Sequence, residues 1–127
     1  MERKDERRSY PRIQDDNVSL KLKIGQFDIM THTLNISASG VYCKIDREIP
    51  LMSRVKLALM IPAQGSPEKE ETKTLEMTGV VVREHPVIID GRIMHYDVAI
   101  FFEDYSARRK EIISQYICQK IDPRAAL

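Results

Sequence analysis

The amino-acid sequence predicts a mainly β protein: a six-stranded antiparallel, Greek-key-like β-barrel with a flexible N-terminal arm and one C-terminal α-helix. Three observations lead to this fold class. Apolar and polar residues alternate in steps of two along most of the chain. The last segment changes to apolar steps of three to five residues, which indicates a helix. The length of 127 residues suits one domain with one hydrophobic core.

The N-terminal arm, residues 1–16, is rich in charged residues and poor in apolar ones. Such a composition predicts disorder when the arm has no binding partner. The arm contains the cations Arg3, Lys4, Arg7, Arg8 and Arg12. We therefore divide the chain into an arginine-rich, ligand-binding arm at 1–16 and a barrel with its helix at 17–122.

The predicted strands follow from the alternating runs at residues 18–24, 27–33, 41–45, 54–61, 74–84 and 96–102. Residues 63–73 are rich in Pro, Gly, Ser and charge, which predicts an exposed loop. Asp90 and Gly91 supply the residues of a tight hairpin turn. Each run has one apolar face, and six such strands can close on themselves and leave no exposed edge.

The helix is predicted over residues 105–121, on or across one end of the barrel, with Ser106 as its cap and Pro123 as its stop. Its apolar stripe consists of Ile112, Ile113, Tyr116, Ile117 and Ile121. We assign this stripe to core contacts. The alternative is that part of it forms a homodimer or a partner surface.

Several functional classes are disfavoured by composition. The net charge of +1 and the aromatic content of 6% argue against a binder of nucleic acid polymers. Without a long apolar run or an apolar leader, we expect no membrane insertion and a cytoplasmic protein. Cys43 and Cys118 then remain free thiols. The three histidines lack metal-ligand spacing, and no nucleophile with a base partner is present, so we expect no metal, no cofactor and no enzyme activity.

Two short polar motifs are the main functional signal. Arg8 and Arg12 form an R-x-x-x-R element in the arm, and residues 35–40 form an N-x-S-x-x-G element, predicted at a turn between two strands. Arginine can contact phosphate, pair with the guanine edge and stack on a base. Asn35 and Ser37 offer hydrogen-bonding groups, and Gly40 permits close approach of a flat base. Together the motifs suit a ligand that carries phosphates and guanines.

In order, separation and β-rich context, these motifs resemble the PilZ domain family, in a stand-alone single-domain form. The resemblance covers roughly residues 7–120 and includes the strand at 79–83. It implies a bacterial receptor that binds the second messenger cyclic di-GMP through Arg8, Arg12, Asn35, Ser37 and Gly40. A basic residue before the first arginine, here Arg7, implies an intercalated pair of ligands.

The resemblance also implies a protein effector partner and an output in motility, biofilm formation or polysaccharide export. Two alternatives stay open. The first alternative to the receptor is a PilZ-like interaction module that does not bind the nucleotide. In that case Asn35 and Ser37 serve only the local turn. Arg83 is either a further ligand contact or a surface charge.

Overall fold

A computed structural model describes the backbone of residues 12–14 and all of residues 18–62, 72–103 and 106–121. The described part contains seven strands and one helix: β1 Arg12–Gln14, β2 Ser19–Ile24, β3 Phe27–Ser37, β4 Gly40–Ile45, β5 Arg54–Pro62, β6 Thr72–Ile89, β7 Arg92–Glu103 and α1 Ala107–Ile121.

Six of the strands form a closed antiparallel barrel in the order β3, β2, β5, β6, β7 and β4, and the pairing of β3 with β4 closes it. The short strand β1 lies outside this ring and pairs with β3. The predicted fold class is therefore confirmed, with β1 as an additional strand at the end of the predicted arm.

The core lies inside the barrel and is built from the alternating apolar residues. Val18, Leu20 and Leu22 are completely buried, whereas Lys21 and Lys23, which each follow a buried leucine, are exposed. The same alternation continues in β4 and β5. Each of these strands therefore keeps one face in the core and one face outside, as the sequence predicts.

Three strands, β3, β6 and β7, extend well beyond their predicted ends. β3 continues to Ser37, because its last residues pair with β1 on one edge and with β4 on the other. β6 begins at Thr72, inside the predicted loop, because Thr72 and Lys73 pair with the end of β5. The other end of β6 continues to Ile89, and β6 and β7 together form a long hairpin.

The predicted hairpin turn is confirmed at Asp90 and Gly91. Their φ angles are +53° and +79°, the left-handed region that a two-residue type I′ turn requires at both positions.

Helix α1 contacts β1 and β3, so it lies close to the strand that carries the second motif. Ser106 caps it, because its Oγ accepts the backbone N–H of Arg109 at 3.3 Å. Ile113, Tyr116 and Ile117 are buried in the core cluster, as predicted for the apolar stripe, whereas Ile121 is mostly exposed. Within the described residues no helix is both long and apolar enough to span a bilayer.

Candidate functional site

The pairing of β1 with β3 brings the two predicted motifs together. Arg12 lies opposite Ser37, and Gln14 lies opposite Asn35. The second half of the R-x-x-x-R element is therefore in register with the first half of the N-x-S-x-x-G element. Arg7 and Arg8 fall outside the described residues, and for Arg12 the description extends to the backbone only.

The N-x-S-x-x-G element differs from the prediction in its local structure. Asn35 and Ser37 are strand residues of β3, and Gly40 is the first residue of β4. The turn itself consists of Ala38 and Ser39. The strand continues this far because β1 and β4 supply pairing partners on its two edges, which the local sequence alone does not indicate.

The Ser37 side chain holds this turn in place. Its Oγ accepts the backbone N–H of Ser39 at 3.2 Å and lies 3.0 Å from the Ser39 hydroxyl. The Ser37 hydroxyl can also donate to the carbonyl of Gly40, at 3.5 Å. Ser37 is 1% exposed. The structure thus gives Ser37 the turn-forming role that the sequence left as one of two readings.

Gly40 has a packing role that the sequence did not predict. A Cβ at this position would lie well inside van der Waals contact with the carbonyl oxygen of Ile100. Gly40 pairs with Phe101 on β7, and the neighbouring Phe102 N–H donates to the Ser39 carbonyl at 2.9 Å. The absence of a side chain therefore permits β4 and β7 to approach each other at the turn.

Asn35 belongs to an outward-facing row that crosses the barrel wall. It is half-buried and opposite Tyr42 of β4; Tyr42 is opposite Ala99 of β7, and Ala99 is opposite Arg83 of β6. Tyr42 is half-buried and Arg83 is exposed. Asn35 and Tyr42 are neighbours on adjacent strands, and their side chains are directed away from the core.

Tyr42 is a candidate site residue that the motif analysis missed. The available signal was its position between the apolar residues Val41 and Cys43 of the alternating run, which directs its side chain outward. This row offers an amide, an aromatic ring and a guanidinium beside the strand that ends the arm. Such groups can bind a ligand that combines flat rings with negative charge.

Cys43 follows Tyr42 in β4, and its side chain faces the core rather than the candidate site. Burial raises the pKa of its thiol from 9.0 to about 12, and the carboxylate of Asp97 adds to this shift. Cys43 is therefore a neutral core residue at physiological pH. The part of the chain that the structure describes contains no group of three or more His, Cys, Asp or Glu side chains that could hold a metal ion.

Solved structures with the same fold include the Bacillus subtilis inhibitor of motility, MotI/DgrA, at 21% identity and a TM-score of 0.74. The alignment covers 93% of this chain and 53% of MotI/DgrA. The K. pneumonia MrkH–c-di-GMP complex aligns at 11% identity and a TM-score of 0.67, over 94% of this chain and 55% of MrkH. This chain thus spans about half the length of both proteins.

The PilZ domain of Escherichia coli YcgR, solved with c-di-GMP, is a match of similar length. It aligns at 14% identity and a TM-score of 0.60, over 94% of each chain. A search of curated protein sequences gave no significant match. The sequence pattern of the PilZ domain matches residues 6–119, which is most of the chain. The chain therefore belongs to the PilZ domain family.

Proposed function

We propose that this chain is a non-catalytic receptor for cyclic di-GMP, with its binding site on the β1–β3–β4 surface. The observation that carries the proposal is the register of β1 on β3, which sets Arg12 opposite Ser37. Family membership supports it, as do the solved structures of MrkH in complex with c-di-GMP and of the YcgR PilZ domain with c-di-GMP.

The proposed site combines groups from the arm and from the barrel wall. Arg8 and Arg12 contact the phosphates and the guanine edges, since the arginine fork fits both. Asn35 hydrogen-bonds to a base, and Tyr42 offers a ring on which a base can stack. Ser37 and Gly40 contribute mainly through the shape of the turn, because the Ser37 hydroxyl is engaged within that turn.

Binding couples to ordering of the arm. An arm that orders on binding lowers the net affinity by about 2–5 kcal/mol. Several arginine contacts and base stacking offset this ordering cost. We therefore expect a dissociation constant on the order of micromolar, which corresponds to a binding free energy of about −8 kcal/mol. The ordered arm then changes the surface that a protein effector contacts. Motility is one candidate output, and MotI/DgrA is itself named an inhibitor of motility.

Isothermal titration with cyclic di-GMP tests the proposal. The wild-type protein and Arg92→Ala, which changes an exposed arginine in the hairpin, are expected to give the same saturable heat. Arg8→Ala and Arg12→Ala are expected to lose it while circular dichroism reports an unchanged fold. A fitted ratio of two ligands per chain supports the intercalated pair of ligands that Arg7 implies, and a ratio of one counts against that pair.

A flat titration with well-folded wild-type protein contradicts the receptor assignment. The chain is then an interaction module that keeps the fold and the motifs without binding the nucleotide. Loss of the fold in Arg8→Ala would contradict the separate roles that we assign to the arm and to the barrel. Cyclic di-GMP breakdown or synthesis by the pure protein would contradict the non-catalytic assignment.

A further inference from the structure

A second surface, on the outer face of β2, β5 and β6, carries an unusual concentration of positive charge. A groove there encloses about 400 Å³ and is lined by Lys21, Lys23, Lys56 and Arg109, with Glu76 as its one carboxylate among the described residues. We call it the lysine groove. Lys23 lies opposite Asp28 on β3, about 23 Å along that strand from Asn35. The groove is thus distinct from the proposed nucleotide site.

The cations in this groove repel one another. Lys23 of β2 is directly opposite Lys56 of β5, and both side chains are exposed. Lys21 lies two residues before Lys23, so its side chain is on the same face of β2. Like charges that are directly opposite on neighbouring strands destabilise a sheet. Within residues 18–62, 72–103 and 106–121, none of these lysines forms a salt bridge.

Arg109 of α1 adds a further positive charge to the groove. It lies in the first turn of α1, which contains no acidic residue. The amino end of a helix has a partial positive charge, which favours acidic rather than basic side chains there. Four cations therefore share one groove with Glu76, on a chain whose formal net charge is only +1.

We infer that the lysine groove binds an acidic segment of a partner protein, in which carboxylates alternate with apolar side chains. Carboxylates would remove the repulsion between Lys23 and Lys56, so binding is favoured by relief of strain that the free protein carries. Ala58, on the outward face of β5, also lines the groove, and it and the aliphatic stems of the lysines offer apolar contact for the aliphatic part of such a segment.

The lining favours a peptide over a nucleic acid. Among the described residues, no aromatic side chain lines the groove, whereas single-stranded nucleic acids are usually bound by stacking on aromatic rings. Glu76 would repel a continuous line of phosphates, but it can pair with a cation or an N–H of a peptide. This inference stands apart from the proposed nucleotide receptor function, because it depends on different strands and different side chains.

Fluorescence anisotropy with a labelled peptide of alternating glutamate and leucine tests the inference, in the presence and absence of cyclic di-GMP. The double variant Lys23→Gln/Lys56→Gln is expected to bind about tenfold more weakly than the wild type, since two partly desolvated ion pairs are lost. The matched control is Lys73→Gln, which removes an exposed charge of β6 outside the groove. Its affinity is expected to stay within about twofold of the wild type.

Equal affinities in the wild type and the double variant would overturn the inference. So would tighter, lysine-dependent binding of a single-stranded oligonucleotide of the same charge. Thermal unfolding without peptide gives an independent check: Lys56→Gln is expected to unfold at the same temperature as the wild type or higher, because repulsion is relieved. A clear decrease would show that the repulsion is absent. Titration with cyclic di-GMP is expected to be unchanged in these variants, so failure of either proposal is recognised separately.

Discussion

Arg12 lies directly opposite Ser37 in the ladder between β1 and β3. This pairing joins two motifs that are far apart in sequence and fixes the end of the arm on the strand that leads into the β3–β4 turn. Because side chains alternate along a strand, the register sets which residues of β1 share a side of the sheet with Asn35 and Ser37. The register of β1 is therefore central to the proposed site.

A one-residue insertion within the first motif should abolish nucleotide binding without unfolding the protein. One alanine added after Ser9 lengthens the separation of Arg8 and Arg12 by one residue, so the R-x-x-x-R spacing is lost. We expect at least about a tenfold loss of affinity for cyclic di-GMP in isothermal titration, since one arginine contact is lost. One alanine added after Arg3 leaves the motif intact and serves as the control. Equal binding by both insertion variants would contradict the dependence on register.

Gly40→Ala should destabilise the barrel. The added Cβ would overlap the carbonyl oxygen of Ile100, and both groups belong to paired strands that cannot separate freely. We expect a loss of about 2–3 kcal/mol in the free energy of unfolding, measured with urea. The control is Gly91→Asn, where a Cβ meets open space and asparagine tolerates the φ of +79°. A Gly40→Ala variant as stable as wild type would contradict this packing role.

The two cysteines should differ in reactivity. Cys118 is exposed on α1, whereas Cys43 is buried in β4. Because the thiolate is the reactive form, burial protects Cys43 both by blocking access and by raising its pKa to about 12. A chromogenic thiol reagent at neutral pH should modify Cys118 alone in the native protein and both cysteines in denaturant. Cys118→Ser should leave no rapidly reacting thiol, and rapid modification of that variant would disprove the burial of Cys43.

The raised pKa of Cys43 also predicts a loss of stability at alkaline pH. Below pH 9 its thiol is neutral in both states and has no effect. Between pH 9 and about 12 the thiol ionises in the unfolded chain but not in the folded one, so stability falls as pH rises. The slope from this group is at most about 1.4 kcal/mol per pH unit. Urea unfolding above pH 9 should therefore show a steeper fall for the wild type than for Cys43→Ala. Parallel curves would contradict the shift.

Glu84 should anchor the segment between β4 and β5. Its side-chain carboxylate accepts the backbone N–H of Ile49, a residue that is 2% exposed. Glu84→Ala leaves this buried N–H without its acceptor, so we expect a loss of about 1–3 kcal/mol in the free energy of unfolding. Glu84→Gln retains an acceptor oxygen and should therefore keep most of the stability that Glu84→Ala loses. Glu111→Ala, which changes an exposed glutamate of α1, is the control. Equal stability of Glu84→Ala and Glu111→Ala would rule out the anchor.

The sequence alone was sufficient for the fold class, because period-two alternation directly reports which side chains face the core. Val18, Leu20 and Leu22 are buried as their spacing predicts. The hairpin at Asp90 and Gly91 was equally predictable, since its residue types match the backbone angles that the turn requires. The helix and its cap at Ser106 follow from a local pattern in the same way. Each of these features depends on neighbours in sequence.

The features that only the tertiary structure decided depend on contacts between distant segments. β3 extends through Asn35 and Ser37 because β1 and β4 flank it, and no local signal specifies that pairing. The reason for a glycine at position 40 is the carbonyl of Ile100 on another strand. The opposition of Lys23 and Lys56 likewise arises from the register of β2 on β5. Local chemistry therefore determined the six barrel strands and the helix, whereas strand pairing and register, properties of the closed barrel, added β1 and decided which side chains meet.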